Sequence, residues 1–228
     1  MPKLVLFDID GTLVLTGGAG VRAMTRACDE IVGSSNALHG VAVAGRTDWI
    51  ILSDALERMG RDLDAQLFAA LRDRYVTYLR DEIQVPGHGV KAVMPGIQAL
   101  LDDLQARDGV YLGLLTGNFE AGARIKLEYF DLWRYFQCGA FGDDAADRNA
   151  LVPFAVSRAR ECGVPDLAPH DILVVGDTPH DIACARAVGA TPVAVATGMF
   201  TTEQLRDSGA DIVFRDLSDT AAFTSLLT

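Results

Sequence analysis

The sequence predicts an α/β protein, a doubly wound, Rossmann-like parallel sheet carrying an all-helical insert. Three observations predict it. From Val90 onward, short β-branched runs alternate with helical patterns. The N-terminal run LVLF (4–7) is apolar without interruption, which suits a strand buried on both faces. Between Gly17 and Gly89 the periodicity is helical, with no strand signal of comparable strength.

Taken in order, LVLF opens the sheet. VRAMTRACDEIV (21–32) then sets Val21, Met24, Cys28 and Ile31 on one helical face, and DWIILSDALERMG (48–60) does the same with Trp49, Leu52, Leu56 and Met59. LDAQLFAALRDRYVTYLR (63–80) adds Leu67, Leu71, Tyr75 and Tyr78 or Leu79. Glycine-rich GGAG (17–20) and VPGHG (85–89) read as hinges at the two ends of this insert. A helix carrying Ile97, Leu100, Leu101 and Leu104 leads to strand VYLGLL (110–115), and CGAF (138–141) reads as a short strand. Helix 151–162 leads to DILVV (171–175), helix 180–190 to TPVAVA (191–196), and DIVF (211–214) precedes a terminal helix. The expected division is a catalytic core of residues 1–16 and 90–228 and a helical cap of residues 17–89.

At 228 residues and 50% apolar content the chain has ample material for a core. Its formal charge, 20 − 31 = −11, argues against nucleic-acid or anionic-membrane partners. An anionic ligand would therefore depend on local positive features. Four scattered cysteines without a CxxC pair argue against zinc and disulfides and for a reducing compartment. The four histidines show no metal-site spacing. The apolar N-terminal run is far too short for a membrane span of ~20 residues, so a cytoplasmic protein is expected.

Polar residues of unusual kind fall at the carboxyl ends of the expected strands, where doubly wound sheets bind ligands. Asp8 and Asp10 follow LVLF, Thr116-Gly117-Asn118 follows LGLL, and Gly176-Asp177 with Asp181 follows ILVV. Arg148 stands just before the helix near Leu151. Singly, each has an ordinary reading as turn or helix-cap chemistry. Together they lie on one edge of one sheet, and that reading fails.

DIDGTL (8–13), the threonine of LLTGN (114–118) and GDTPHD (176–181) are similar to motifs one, two and four of the haloacid dehalogenase superfamily, in that family's order and spacing. VATGMFTTEQLRDSGAD (195–211) resembles its phosphoglycolate phosphatase-like branch. The resemblance spans the chain and implies a Mg²⁺-dependent phosphatase acting on a small phosphorylated metabolite. Asp8 would be the nucleophile, forming an aspartyl-phosphate. Asp10, two residues on and so projecting to the same side of extended backbone, would be the acid and base. Asp8, the backbone carbonyl of Asp10 and Asp177 would hold Mg²⁺, with Asp181 supporting them. Thr116, helped by amides around Gly117 and Asn118, would bind phosphoryl oxygens. Arg46, in VAGRTD (43–48), would touch a distal anionic group of the substrate.

Motif three of that family is usually a lysine; here Arg148 stands at its place. The alternative, Lys126 in ARIKLEYF (123–130), reads as a solvated mid-helix charge paired with neighbouring glutamates. Asp10 is kept, whereas carbon-attacking members of the family lack this second aspartate, so phosphate-ester chemistry is favoured over carbon–halogen chemistry. Two other readings stay open at this point: a sugar-phosphate mutase of the β-phosphoglucomutase type, and a phospho-accepting signalling module.

Overall fold

Strand β1 (Lys3–Phe7) lies at the centre of a parallel sheet in the computed structural model, which describes residues 1–227. Thr228, the last residue of the expected core, lies outside the described residues. The remaining strands of the sheet are β4 (Val110–Leu115), β5 (Cys138–Ala140), β6 (Ile172–Gly176), β7 (Thr191–Val195) and β8 (Ile212–Phe214). Their order is β5-β4-β1-β6-β7-β8, each pair parallel. The fold is therefore the expected doubly wound α/β sheet.

The uninterrupted apolar run of β1 follows from burial on both faces. Val5 and Phe7 pack into a cluster with Ile97, Leu101 and Leu104 of α4 (Ile97–Gln105), Leu127 of α5 (Glu120–Tyr129) and Phe223 of α9 (Thr220–Thr224). Leu4 and Leu6 point the other way, toward Leu151 and Val152 of α6 (Leu151–Glu161) and Ala185 of α7 (Pro179–Ala187). Alternate residues thus serve opposite faces. Burying these four side chains contributes at most ~6–12 kcal/mol. Two carboxylates 4 Å apart near a protein surface repel by ~4 kcal/mol, so the strand can carry an acidic end.

Between β1 and β4 the chain leaves the sheet for α1 (Ala19–Val32), α2 (Asp48–Glu57) and α3 (Ala65–Glu82), whose apolar faces form a cluster of their own. It includes Met24, Cys28, Leu52, Leu56, Leu71, Tyr75 and Leu79, and takes Phe119 from the core. Val21, expected on that apolar face, is instead partly exposed to solvent. A two-stranded antiparallel stem of β2 (Val14–Thr16) and β3 (Lys91–Val93), for which the sequence gives no clear signal, joins the insert to the core. Lys91 Nζ donates to the carbonyl of Ile83 at 2.6 Å, and Arg22 Nη1 to that of Gly17 at 2.6 Å, bracing the stem against the insert. The last helical segment of the sheet domain before α9 is α8 (Thr202–Asp207). No helix among the described residues is long and apolar enough to cross a membrane.

Candidate active site

The strand order reverses at β1, with β4 reached first on one side and β6 later on the other, and the crevice at such a switch point is where ligands bind. Asp8 follows β1 directly and is buried; its amide donates to the carbonyl of Val175 at 2.9 Å. Gly11 turns the chain with φ 85°, and a Cβ there would stand 2.5 Å from a carboxylate oxygen of Asp177. Glycine is thus required for both conformation and space. Thr12 Oγ1 donates to Asp177 Oδ1 at 3.0 Å.

Loops after β4 and β6 complete the floor. Asn118 Nδ2 donates to Thr116 Oγ1 and to Asp10 Oδ2, both at 2.8 Å. Asp181 forms a capping box with Thr178 at the start of α7, accepting from the Thr178 amide at 3.0 Å and hydroxyl at 2.8 Å. Gly176 makes room for it, since a Cβ there would lie 2.0 Å from the Asp181 carboxyl carbon.

Arg148 is buried in a 3₁₀ turn before α6, where it hydrogen-bonds Asp181 and stands 3.1 Å from Asp8 Oδ1. Burial alone would loosen its proton, but Asp181 and Asp8 outweigh that and hold the guanidinium charged. The expectation for Lys126 is corrected: it is buried, not solvated, and its Nζ donates to Asp10 Oδ2 and Asn118 Oδ1, each at 2.6 Å. The reason is helical spacing. Lys126 shares the buried face of α5 with Ala123 and Leu127, and the pairing with Glu128 belongs to Arg124 at 2.7 Å. Each of the paired aspartates therefore has its own cation.

The acid count still exceeds the base count. Asp8, Asp177 and Asp181 each offer an oxygen within 4.8 Å of one another. Burial, and then Asp181 and Asp8, push the Asp177 carboxyl up to about 8. Burial pushes Asp8 up to about 6, against the pull of Arg148, with Asp181 and Asp10 adding to the rise. With all four ionised, Asp8, Asp10, Asp177 and Asp181 face two cations, Lys126 and Arg148, an excess of two negative charges that the raised Asp8 and Asp177 carboxyls reflect. An all-oxygen donor set with that excess fits a hard divalent cation.

Opposite this floor, the 43–48 loop of the insert presses onto the core. The Asp48 amide donates to the Gly117 carbonyl at 2.7 Å, and Asp48 Oδ2 accepts from the Phe119 amide at 2.9 Å. A Cβ on Gly117 would lie 2.2 Å from the carbonyl oxygen of Arg46, so this glycine admits the insert's backbone. Arg46 itself is paired with Asp54 at 2.5 Å. Floor and insert together enclose a cavity of about 430 Å³ lined by Asp8, Asp10, Thr116, Asn118, Lys126, Arg148 and Asp177 on the core side. All the sequence-predicted residues except Asp181 line it, and Asp181 lies directly behind Arg148 and Thr178. Asp48 and Thr12 were not singled out as site residues by sequence, and Lys126 was named only as the less favoured alternative to Arg148. For Lys126 the signal was available in its i, i+3, i+4 neighbours.

A doubly wound sheet with charged side chains converging on a cavity at its switch point defines an α/β protein with a built ligand site. The family model described as haloacid dehalogenase-like hydrolase matches residues 2–189, and the chain belongs to that family of enzymes. A phosphoglycolate phosphatase from Rhodospirillum rubrum is 33% identical over 221 residues, covering 96% of this chain and 89% of the relative. A phosphoglycolate phosphatase from Mannheimia succiniciproducens is 26% identical over 227 residues, covering 95% of this chain and 96% of the relative. A hydrolase from Pseudomonas syringae shares the fold, with a TM-score of 0.70 at 21% identity over 99% of this chain and 98% of that one.

Proposed function

We propose that the protein is a Mg²⁺-dependent phosphatase that hydrolyses a small phosphate monoester through an aspartyl-phosphate on Asp8. The observation that carries this reading is the division of labour between two adjacent carboxylates. Asp8 is buried against the Arg148 guanidinium at 3.1 Å, while Asp10, reaching into the cavity, is steered by Lys126 and Asn118. Asp8 Oδ attacks phosphorus, forming the Asp–O–P bond as the ester P–O bond breaks. Asp10 gives its proton to the departing oxygen, which leaves as an alcohol. Asp10 then takes a proton from water as that water attacks the same phosphorus, and Asp8 and inorganic phosphate are released.

Thr116, with the amides near Gly117 and Asn118, holds phosphoryl oxygens, and Arg148 supplies positive charge at the attacking side. Asp8, the Asp10 carbonyl and Asp177 are the residues to hold Mg²⁺, with Asp181 orienting Arg148 behind them. When bound, the ion would neutralise phosphoryl charge and relieve the repulsion among the aspartates. Residues 17–89 act as a cap that shuts the reaction away from water, and the contacts of Asp48 with Gly117 and Phe119 support that role. A cytoplasmic setting is part of the same reading.

The test is phosphate release from a panel of phosphorylated metabolites with and without Mg²⁺, with Asp8→Asn as control. Phosphoglycolate, the substrate in the names of the Rhodospirillum and Mannheimia relatives, belongs on that panel. Metal-dependent release that Asp8→Asn loses is the expected result. No release, with phosphate retained on Asp8 or passed to a second sugar phosphate, would replace the phosphatase by a phospho-acceptor or a mutase.

A further inference from the structure

Beside the charged floor, the cavity is lined by a set of apolar side chains. Val21, Met24, Val43 and Ile51 of the insert face it, with Leu15 and Met199 contributed by the core. Several of these are large apolar side chains left open to solvent: Val21 is 44% exposed, Val43 37% and Met199 81%. Exposed apolar side chains scattered singly need no explanation, but a group of them around one cavity marks a surface that a ligand covers. The cavity's volume of about 430 Å³ lies in the ~300–1,000 Å³ range of sites that bury organic ligands of appreciable size.

Charge points the same way. Three cations line the cavity, and each already has a carboxylate partner: Arg46 with Asp54 at 2.5 Å, Lys126 with Asp10 at 2.6 Å, and Arg148 with Asp8 at 3.1 Å. A leaving group with its own carboxylate would meet no unpaired cation, and Asp48 and Asp10 would repel it. An apolar leaving group would instead displace water from Val21, Val43 and Met199.

We infer that the enzyme selects phosphate monoesters whose alcohol portion is apolar, an alkyl chain or ring of several carbons, over monoesters carrying a second negative charge. This rests on the phosphatase reading above and adds the class of leaving group. The bonds made and broken are unchanged.

The experiment compares kcat/KM for ethyl, butyl and hexyl phosphate, which share the same leaving-group chemistry, with 2-phosphoglycolate. Each buried methylene should raise kcat/KM roughly 3- to 4-fold until the cavity is filled, and hexyl phosphate should exceed phosphoglycolate. Val21→Glu and Val43→Asp, both at exposed positions, should each lower the hexyl-to-ethyl ratio about 10-fold. Val21→Arg should shift preference toward phosphoglycolate. A flat chain-length series, or phosphoglycolate preferred by the unmodified enzyme, would overturn the inference while leaving a phosphatase. Absence of phosphate release from every ester would overturn the phosphatase reading itself.

Discussion

Two surfaces face each other across one cavity, and they are built of different side chains. On the sheet side, the polar groups are tied to one another and, apart from Asp10, buried: Arg148 to Asp8 and Asp181, Lys126 to Asp10 and Asn118, Thr12 to Asp177. On the insert side, partly open apolar side chains such as Val21 and Val43 line the cavity beside Arg46 and Asp48, and the 43–48 loop is held down by the Asp48 amide and carboxylate, to Gly117 and Phe119, and by the Thr47 hydroxyl, to the Ala146 carbonyl. A site whose charges are fixed before substrate arrives is suited to stabilising a transition state. A lining of apolar side chains adapts to the rest of the molecule being bound. On the proposed reading, the difference teaches that chemistry resides on the sheet and selection chiefly on the insert, so that each can be broken without the other.

Breaking the sheet side should have the larger effects. Arg148→Ala should slow turnover at least ~100-fold, as expected for loss of one charge contact to the transition state. It also strands buried carboxylates of Asp8 and Asp181, so thermal unfolding should show a loss of ~3–5 kcal/mol. Arg148→Lys should recover part of the stability, and a variant with near-normal turnover would remove Arg148 from the site. Next, Asp177→Ala should raise the Mg²⁺ concentration for half-maximal activity by at least the ~10- to 100-fold that loss of a supporting partner costs; an unchanged metal titration contradicts the assignment. Lys126→Ala should lower kcat by less than the ~100-fold expected of Arg148→Ala, because Lys126 orients Asp10 and its loss leaves Asp8 paired. The reverse ranking would give Lys126 the role proposed here for Arg148.

The remaining effect, on stability rather than turnover, lies at the junction of the two surfaces. Burial, with Asp10 and Asp143, pushes the Asp48 carboxyl up to about 7, against the pull of Lys126 and the Phe119 amide. Unfolded, it titrates near 3.8. Between these values the folded state holds a proton that the unfolded chain has released, so the group's contribution is complete below pH 3.8 and lost as pH rises through 7. Asp48→Asn keeps an acceptor for the Phe119 amide and removes the charge. It should therefore melt higher than the unmodified protein above pH 7, by at most roughly 4 kcal/mol of stability, with the gap closing toward pH 4. Equal melting curves at pH 8 would show that Asp48 is not held away from water.

What could be read from sequence follows the same division. Asp8, Asp10, Thr116 and Asp177 sit where strands end, and a strand end is a local property of an apolar run. Lys126 was misread because ARIKLEYF is polar enough to pass for a solvated helix; only its spacing from Ala123 and Leu127 reports the buried face. The β2–β3 stem escaped notice because three-residue strands carry too little alternation to register. Val21 was set on one apolar helical face by periodicity, yet it lines the cavity, since periodicity marks an apolar face without saying what covers it. The pairing of Arg46 with Asp54 is a tertiary choice among several acidic neighbours that no spacing rule selects.

The central claim is that phosphate passes through Asp8, and acid-quenched single-turnover reactions analysed by peptide mass spectrometry test it most directly. The account predicts a transient phosphoryl group on the peptide containing Asp8, formed before phosphate is released and absent from Asp8→Asn. Release of phosphate at the normal rate with no phosphorylated enzyme at any time, or with the group on another residue, would contradict it.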